Sequence, residues 1–142
     1  MDYTSKTPAL ILLATIAAAA AHALGLYGGG YLHIPHYDTF VHTLAGVWVG
    51  LVIVALAKKA GVPGLSPAIR IIAIASATIA IGFGWELFEY LLAWISITAY
   101  DVKNSLQPSI GDTLKDILTD GAGGAIAAIL SAPVRRASDR SQ

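Results

Sequence analysis

The sequence predicts an all-α integral membrane protein, a bundle of four transmembrane helices with both termini in the cytoplasm. Hydrophobic residues make up 56% of the 142 residues and charged residues 13%, whereas a soluble domain carries about 25% charged residues. Four apolar segments are each long enough to cross a bilayer core, which takes about 20 helical residues. Lysine and arginine are concentrated on one side of the resulting topology, as expected for cytoplasmic loops.

The first segment covers about residues 8–27, and the glycines at 28–30 followed by Pro35 end it. It also has a feature of a secretory signal peptide, because "AHA" at 21–23 fits a small-x-small cleavage site. The residues before it carry one lysine and one aspartate, a weak positive region that favours a retained span. The second segment covers about residues 38–57 and stops at two lysines.

The third segment covers about residues 68–97 and is longer than the bilayer core, so we expect it to tilt, protrude or break near "GFG" at 82–84. The fourth covers about residues 112–134 and stops before two arginines. The four spans together make the chain, 1–142, a single membrane domain.

Orientation follows from the positive-inside rule. Seven of the nine cations lie on the side of the two termini, which is therefore predicted to be cytoplasmic: Lys6, Lys58, Lys59, Arg70, Arg135, Arg136 and Arg140. Lys103 lies on the other side and Lys115 within the fourth span. The net charge is zero, and without a basic face nucleic acid is excluded as a partner. The lipid bilayer is the expected environment.

Six of the nine acids fall on predicted spans, where each carboxylate costs about 2.5–3.5 kcal/mol near the bilayer centre. The topology places all six in the outer half of the membrane, and their i,i+3 and i,i+4 spacings put each set on one helix face. His42 shares the face of Asp38. The predicted cluster therefore comprises Asp38, His42, Glu86, Glu89, Asp112, Asp116 and Asp120.

Carboxylates crowded into a low dielectric are protonated, hydrated or bound to a cation. A divalent metal removes the most repulsion, and these oxygen-rich donors suit Mg²⁺, Mn²⁺, Ca²⁺ or iron, with Zn²⁺ also open. We therefore predict all seven residues of the cluster as candidate ligands for one ion or two. Glu86 or His42 is the candidate catalytic base.

Structural roles compete with these assignments. Asp38 follows a proline at a helix start and fits an N-cap, and "SIGD" at 109–112 fits a helix-start signature that makes Asp112 a capping residue. The remaining acids fit protonated core residues. Lys115 is offset from Asp116 and is expected to point elsewhere. Gly46, Gly50 and the "GAGGA" stretch at 121–125 predict close helix packing, within one chain or between copies of a homo-oligomer.

Taken in order, "YDTFVH" (37–42), "GWELFEY" (84–90) and "SIGDTLKDILTDGAGGA" (109–125) resemble the VanZ-like superfamily of small bacterial and archaeal membrane proteins, including its YjdF-type relatives. The resemblance covers about residues 37–125 and leaves the first segment unmatched. It implies a location in the prokaryotic cytoplasmic membrane, at the cell envelope. It also implies a shared polar site formed by Asp38, His42, Glu86, Glu89, Asp112 and Asp116, with Asp120 at a more variable position.

The leading functional hypothesis is a metal-binding membrane protein that carries out metal-dependent hydrolysis or transfer on a lipid-linked or envelope substrate. An ion- or proton-coupled transporter or binder is an alternative, although the inner halves of the spans contain neither acid nor histidine. A non-enzymatic, resistance-accessory protein is the third, in which the acids only maintain the fold.

Overall fold

The computed structural model describes residues 6–62, 64–100 and 109–132. Within these ranges it is all-helical, with no strand, which confirms the all-α part of the predicted fold class, while the four spans and the location of the termini stay a prediction. α1, α3 and α4 are long and apolar enough to cross a membrane, whereas α5 is of similar length but carries four charged residues. The helices are α1 (Lys6–Tyr27), α2 (Gly30–His33), α3 (Tyr37–Lys59), α4 (Pro67–Tyr100) and α5 (Ile110–Leu130).

Two helix boundaries refine the predictions. α4 is one continuous helix of 34 residues, about 51 Å long, so the chain does not break at 82–84. α5 ends at Leu130, earlier than the predicted 134, and Ser131 closes it by donating a side-chain hydrogen bond to the Ala128 carbonyl. In the sequence Pro133 follows, and the residue before a proline disfavours the helical conformation. Residues 133–134 lie outside the described ranges.

α5 lies between α3 and α4, and α1 packs against the other side of α3. α5 runs parallel to α3, because Asp120 lies beside Gly46 and Ala127 beside Gly50. It runs antiparallel to α4, where a small cluster of Val54, Ile74 and Ala128 forms the buried apolar core. The most charged helix is therefore the central one of the bundle.

Glycines allow α3 and α5 to approach at backbone distance. A Cβ on Gly46 would lie 2.3 Å from the backbone oxygen of Asp120, and one on Gly123 would lie 2.4 Å from the backbone oxygen of Thr43. Neither contact leaves room for a side chain. The close packing predicted from these glycines is thus made within one chain, and the glycines that we considered for a contact between copies are buried inside it.

α1 belongs to the same bundle. The Tyr37 hydroxyl donates a 2.6 Å hydrogen bond to the Ala21 carbonyl at one end of α1, and Lys58 Nζ lies 3.4 Å from Thr7 Oγ1 at the other. α1 and α3 are therefore antiparallel, and Ala21 of the "AHA" stretch is buried against α3. Between them, α2 is a single helical turn, and His36 adopts a left-handed conformation with φ of 59°.

The cations at 58, 59 and 70 lie together at one end of the bundle, since α3 ends and α4 begins there. The predicted acid cluster lies at the opposite end. Which side of the membrane each end faces stays a prediction, because the side chain of Lys6 and the residues Lys103, Arg135, Arg136 and Arg140 lie outside the described part of the chain.

Candidate metal site

His42 is the centre of the acid cluster. It lies in the second turn of α3 and is 7% exposed. Its Nδ1 lies 3.4 Å from the carboxylate oxygens of Asp120. Its Nε2 lies 3.6 Å from Asp38 Oδ1 and 3.8 Å from Glu86 Oε1. Three helices, α3, α4 and α5, therefore bring carboxylates to one imidazole ring.

The two sides of the imidazole differ in their contacts. At 3.4 Å the contact of Nδ1 with Asp120 is a long hydrogen bond. The contacts of Nε2 exceed hydrogen-bond length, yet they approach the separation of two adjacent ligands of one ion. Such ligands lie about 3.0–3.4 Å apart when each is about 2.1 Å from the metal. Nε2 thus lies close to ligand spacing from one carboxylate of α3 and from one of α4.

Two overlapping groups of side chains meet the geometric requirement for a shared cation. Asp38, His42 and Asp116 form one group, and His42, Glu86 and Glu89 form the other. In each group the ligand atoms lie within 4.8 Å of one another. Because His42 belongs to both groups, the acids of all three helices converge on the same ring.

Within the part of the chain that the structure describes, two buried carboxylate oxygens have no hydrogen-bond partner, Glu86 Oε1 and Asp116 Oδ1. Glu86 is 4% exposed and Asp116 is 2% exposed. An unpartnered polar atom at such depth is rare and costs about 1–3 kcal/mol. Glu86 Oε1 is also the oxygen nearest to His42 Nε2 on α4, so an orphaned acceptor faces the imidazole.

Lys115 is the cation next to the cluster, which corrects the prediction that it points elsewhere. Its Nζ lies 2.6 Å from Asp112 Oδ1, 3.3 Å from Asp116 Oδ1 and 3.9 Å from Asp38 Oδ2. Asp116 Oδ1 is thus ion-paired with Lys115, although it forms no hydrogen bond of good geometry. One ammonium, most closely bonded to Asp112, does not neutralise six carboxylates.

Of the two helix-start predictions, the structure confirms the one at 109–112 and contradicts the one at Asp38. Ser109 is the N-cap of α5, and its hydroxyl accepts a hydrogen bond from the Asp112 backbone N–H at 3.1 Å. The helix-start prediction at 109–112 is therefore right, with the Asp112 carboxylate free to bind Lys115. His36, not Asp38, is the N-cap of α3, so the alternative role for Asp38 as a cap is wrong.

Gly82 lies opposite Asp120, a contact that the sequence analysis missed. A Cβ at Gly82 would lie 2.1 Å from Asp120 Oδ2, so only glycine leaves the carboxylate its place beside His42. The sequence feature that marks this contact is "GFG" at 82–84, which interrupts an apolar helix and predicts a possible break. By contrast, a Cβ at Gly84 would meet nothing within 4 Å.

A cavity of about 1070 Å³ adjoins the cluster. It is lined by residues of all five helices. Trp85 is part of its wall. Its polar end is formed by Asp38, His42, Glu89, Asp112, Lys115 and Asp120, and its apolar walls include Ala18, Val41, Ala45, Trp48, Val49 and Ile81.

Aromatic residues of α2 and α3 line the cavity next to its polar end. The Tyr31 hydroxyl forms a 2.8 Å hydrogen bond with His22 Nδ1, and its ring meets that of Tyr37 edge to face, with centroids 5.4 Å apart. Burial, with a smaller contribution from the negative charge of Asp38, raises the pKa of Tyr31 to about 12. His22 therefore serves Tyr31 and belongs to neither of the two cation-compatible groups.

A family model described as "Predicted membrane protein (DUF2238)" matches residues 1–137. The chain belongs to this family. The DUF2238 family is distinct from the VanZ-like superfamily, so that resemblance was wrong. It was based on three short acidic motifs and left the first segment unmatched, whereas the DUF2238 match includes that segment. No curated protein and no solved structure matches the chain.

In this DUF2238 protein the structure brings together the seven residues that the sequence singled out, but they differ in their contacts with His42. Five belong to the two cation-compatible groups around His42. Asp120 lies on the opposite ring nitrogen, and Asp112 is bonded to Lys115. Their use in metal binding or catalysis stays a prediction.

Proposed function

We propose that this DUF2238 protein binds one divalent metal ion beside Nε2 of His42, with carboxylate ligands drawn from Asp38, Asp116, Glu86 and Glu89. The observation that supports this most strongly is the buried Glu86 Oε1, which has no hydrogen-bond partner among the described residues and lies 3.8 Å from His42 Nε2. A cation beside this oxygen supplies the missing partner and offsets the repulsion among the acids.

A single ion fits better than two. An imidazole nitrogen has one lone pair to offer a metal, and Nδ1 of His42 already faces Asp120. Nε2 is therefore the ligating nitrogen, and the two groups that share His42 offer alternative acids to the same ion. Asp120 orients the ring from behind, as carboxylates commonly do for metal-bound histidines.

The donor set favours a first-row transition ion or zinc. Mg²⁺ and Ca²⁺ prefer oxygen ligands throughout, whereas Mn²⁺, Fe²⁺ and Zn²⁺ accept an imidazole among carboxylates. With one histidine and up to four acids, the site suits Mn²⁺, Fe²⁺ or Zn²⁺ best among the five ions predicted from the sequence.

In the proposed topology α5 is a fourth membrane span. It runs parallel to α3 from Asp120 beside Gly46 to Ala127 beside Gly50, and α3 itself is a candidate span. A helix that shares this course crosses the same layer. With the positive-inside rule, both termini lie in the cytoplasm of a prokaryote and the metal site lies in the outer half of the inner membrane.

The proposed chemistry is hydrolysis or transfer on a lipid-linked or envelope substrate. A bound divalent ion polarises a phosphoryl or acyl oxygen and lowers the pKa of a water ligand. Of the two acids of α4, Glu89 lines the cavity and Glu86 does not, so Glu89 is the acid that serves as base when Glu86, Asp38 and Asp116 hold the ion. Glu86 and His42, the bases suggested by the sequence, are assigned as ligands because both are buried.

Two aspartates one helical turn apart provide a matched test. Asp116 belongs to a cation-compatible group and Asp112 does not. We expect purified wild-type protein and the Asp112→Asn variant to contain about one equivalent of divalent metal by elemental analysis. Asp116→Asn should lose at least about tenfold in metal affinity.

The same preparations supply the control. Thermal unfolding in micelles, measured with and without chelator, shows whether each variant is folded. If the folded wild-type protein carries no stoichiometric metal and chelator leaves its melting temperature unchanged, the proposed metal site is wrong. Equal metal content in the two variants contradicts the ligand assignment.

A further inference from the structure

The cavity beside the cluster lies between α1 and α4, which do not contact each other within the described residues. Both helices contribute to its lining, with Ala18 on α1 and Ile81 on α4. Yet α1 packs only on α2 and α3, and α4 only on α3 and α5, within the described residues. The two helices are therefore separated where the cavity lies, and the gap between candidate spans faces the hydrocarbon of the bilayer.

The size and walls of the cavity suit a chain-bearing molecule. Drug-sized ligands occupy pockets of about 300–1,000 Å³, and this cavity, at about 1070 Å³, is larger. Along its length the walls are aliphatic or aromatic, including Val41, Ala45 and Trp48. A lateral gap with such walls excludes water, and the surrounding bilayer supplies hydrocarbon chains to fill it.

The polar end of the same cavity is acidic. Asp38, Glu89 and Asp120 line it, and Lys115 is bonded to Asp112. The six carboxylates of the cluster exceed the combined charge of one divalent ion and one lysine. The remaining negative charge favours a positively charged headgroup over an anionic one.

Aromatic rings stand beside these acids. Tyr31, Tyr37 and Trp85 line the cavity together with Asp38 and Glu89. Carboxylates combined with aromatic faces are the chemistry that recognises ammonium groups in proteins. Tyr31 and Trp85 belong to neither cation-compatible group, so they are available to a headgroup while the proposed metal is bound.

We infer that the cavity binds a membrane lipid whose headgroup carries an ammonium, with a hydrocarbon chain between α1 and α4 and the headgroup beside Asp38, Glu89 and Trp85. The chain enters through the lateral gap, and the headgroup stops at the metal site. The assignment of this lipid as a substrate rests on the proposed function. Lipid binding itself is measured independently of metal binding.

The test compares two lipids with identical chains. Purified full-length protein in micelles is mixed with phosphatidylethanolamine or phosphatidylglycerol, and the bound lipid is counted by native mass spectrometry. We expect the ethanolamine lipid to bind at least about fivefold better, the contribution of one cation–π contact. Trp85→Leu should remove most of that preference. Equal binding of the two lipids, or tighter binding of phosphatidylglycerol, overturns the ammonium assignment.

Two neighbouring alanines on α1 test the chain position. Ala18 lines the cavity and the exposed Ala17 does not. Ala18→Trp should reduce lipid binding about tenfold by filling the groove, and Ala17→Trp should leave it unchanged. Equal lipid binding by the two variants overturns the proposal.

Metal content is measured on the same samples and keeps the two proposals apart. Ala18→Trp should retain its metal while losing lipid. A variant that loses lipid binding but keeps its metal shows that the cavity binds lipid independently of the metal site. A wild-type protein that binds the ethanolamine lipid selectively but holds no metal overturns the proposed metal function and leaves the lipid assignment standing.

Discussion

At the scale of single residues, His42 is oriented by a contact from another helix. Its hydrogen-bonded partner is Asp120 on α5, while Asp38, one turn before it on α3, lies 3.6 Å from the other nitrogen. Asp120 in turn is held against Gly82 of α4. The direction in which Nε2 points therefore depends on Gly82, through Asp120.

This dependence gives a prediction for Gly82→Ala. The added Cβ would lie 2.1 Å from Asp120 Oδ2, so the carboxylate must move away from His42. We expect metal affinity to fall about 10–100-fold, the usual effect of losing a residue that orients a ligand, as measured by competition with a metal-binding dye. Gly84→Ala, two residues along the same helix with open space around its Cβ, should bind metal like the wild type. Indistinguishable affinities for the two variants would argue against the orienting role of Asp120.

The sequence predicts which residues share a face, but not how each side chain is used. The i,i+4 spacing of Asp38 and His42 correctly places them side by side. The same kind of spacing does not distinguish Asp116, which faces the cation-compatible group, from Asp120, which faces the opposite nitrogen. The prediction for Lys115 was wrong for a related reason: spacing gives the position of its Cα, whereas its long side chain reaches acids that the Cα does not face.

At the scale of helices, α5 has two halves with different tasks. Its first half carries the acids and Lys115, and its second half is almost entirely glycine, alanine and isoleucine. The small residues let the backbone of α5 approach α3 and α4 closely. That approach places Asp116 and Asp120 within reach of His42. Close packing in the second half of α5 therefore positions the carboxylates of its first half.

Gly123→Ala tests this coupling. A Cβ at Gly123 would lie 2.4 Å from the Thr43 backbone oxygen, whereas one at Gly111, on the same helix, would meet only the Ser109 hydroxyl at 3.8 Å. Because backbone atoms cannot step aside as a flexible side chain does, we expect Gly123→Ala to reduce the free energy of unfolding by about 1–3 kcal/mol. Denaturant unfolding in micelles measures it. Gly111→Ala should cost well under that amount, and a similar loss in both variants would contradict the packing account.

Hydrophobic length predicts the helices well and their ends less well. The three apolar spans match α1, α3 and α4 to within three residues at each end. The continuity of α4 through 82–84 was not predictable, because a glycine in a helix is tolerated when a packing partner requires it. The position of α5 at the centre of the bundle was not predictable either, since it depends on backbone contacts that no single-helix pattern encodes.

At the scale of the whole molecule, charge is divided between two ends. Lys58, Lys59 and Arg70 lie at one end, and the acid cluster lies at the other. The sequence predicts this division because antiparallel connection of consecutive spans fixes which segment ends meet. It did not identify the family, because short acidic motifs recur among unrelated membrane proteins.

Cysteine labelling tests the proposed four-span topology, and the natural chain contains no cysteine to interfere. Single substitutions His33→Cys, Lys59→Cys and Ala132→Cys are exposed to a membrane-impermeant maleimide in intact cells. We expect His33→Cys to be labelled from outside, and the other two only after the cells are opened. Labelling of Ala132→Cys from outside would show that α5 does not cross the membrane.

The most direct test of the central claim is anomalous diffraction from crystals of the protein grown with Mn²⁺. The account predicts one anomalous peak about 2.0–2.3 Å from Nε2 of His42, between Glu86 and the acids of α3 and α5, and no peak there in Asp116→Asn. A wild-type map with no anomalous density at this nitrogen, and with the carboxylates hydrogen-bonded to one another, would contradict it.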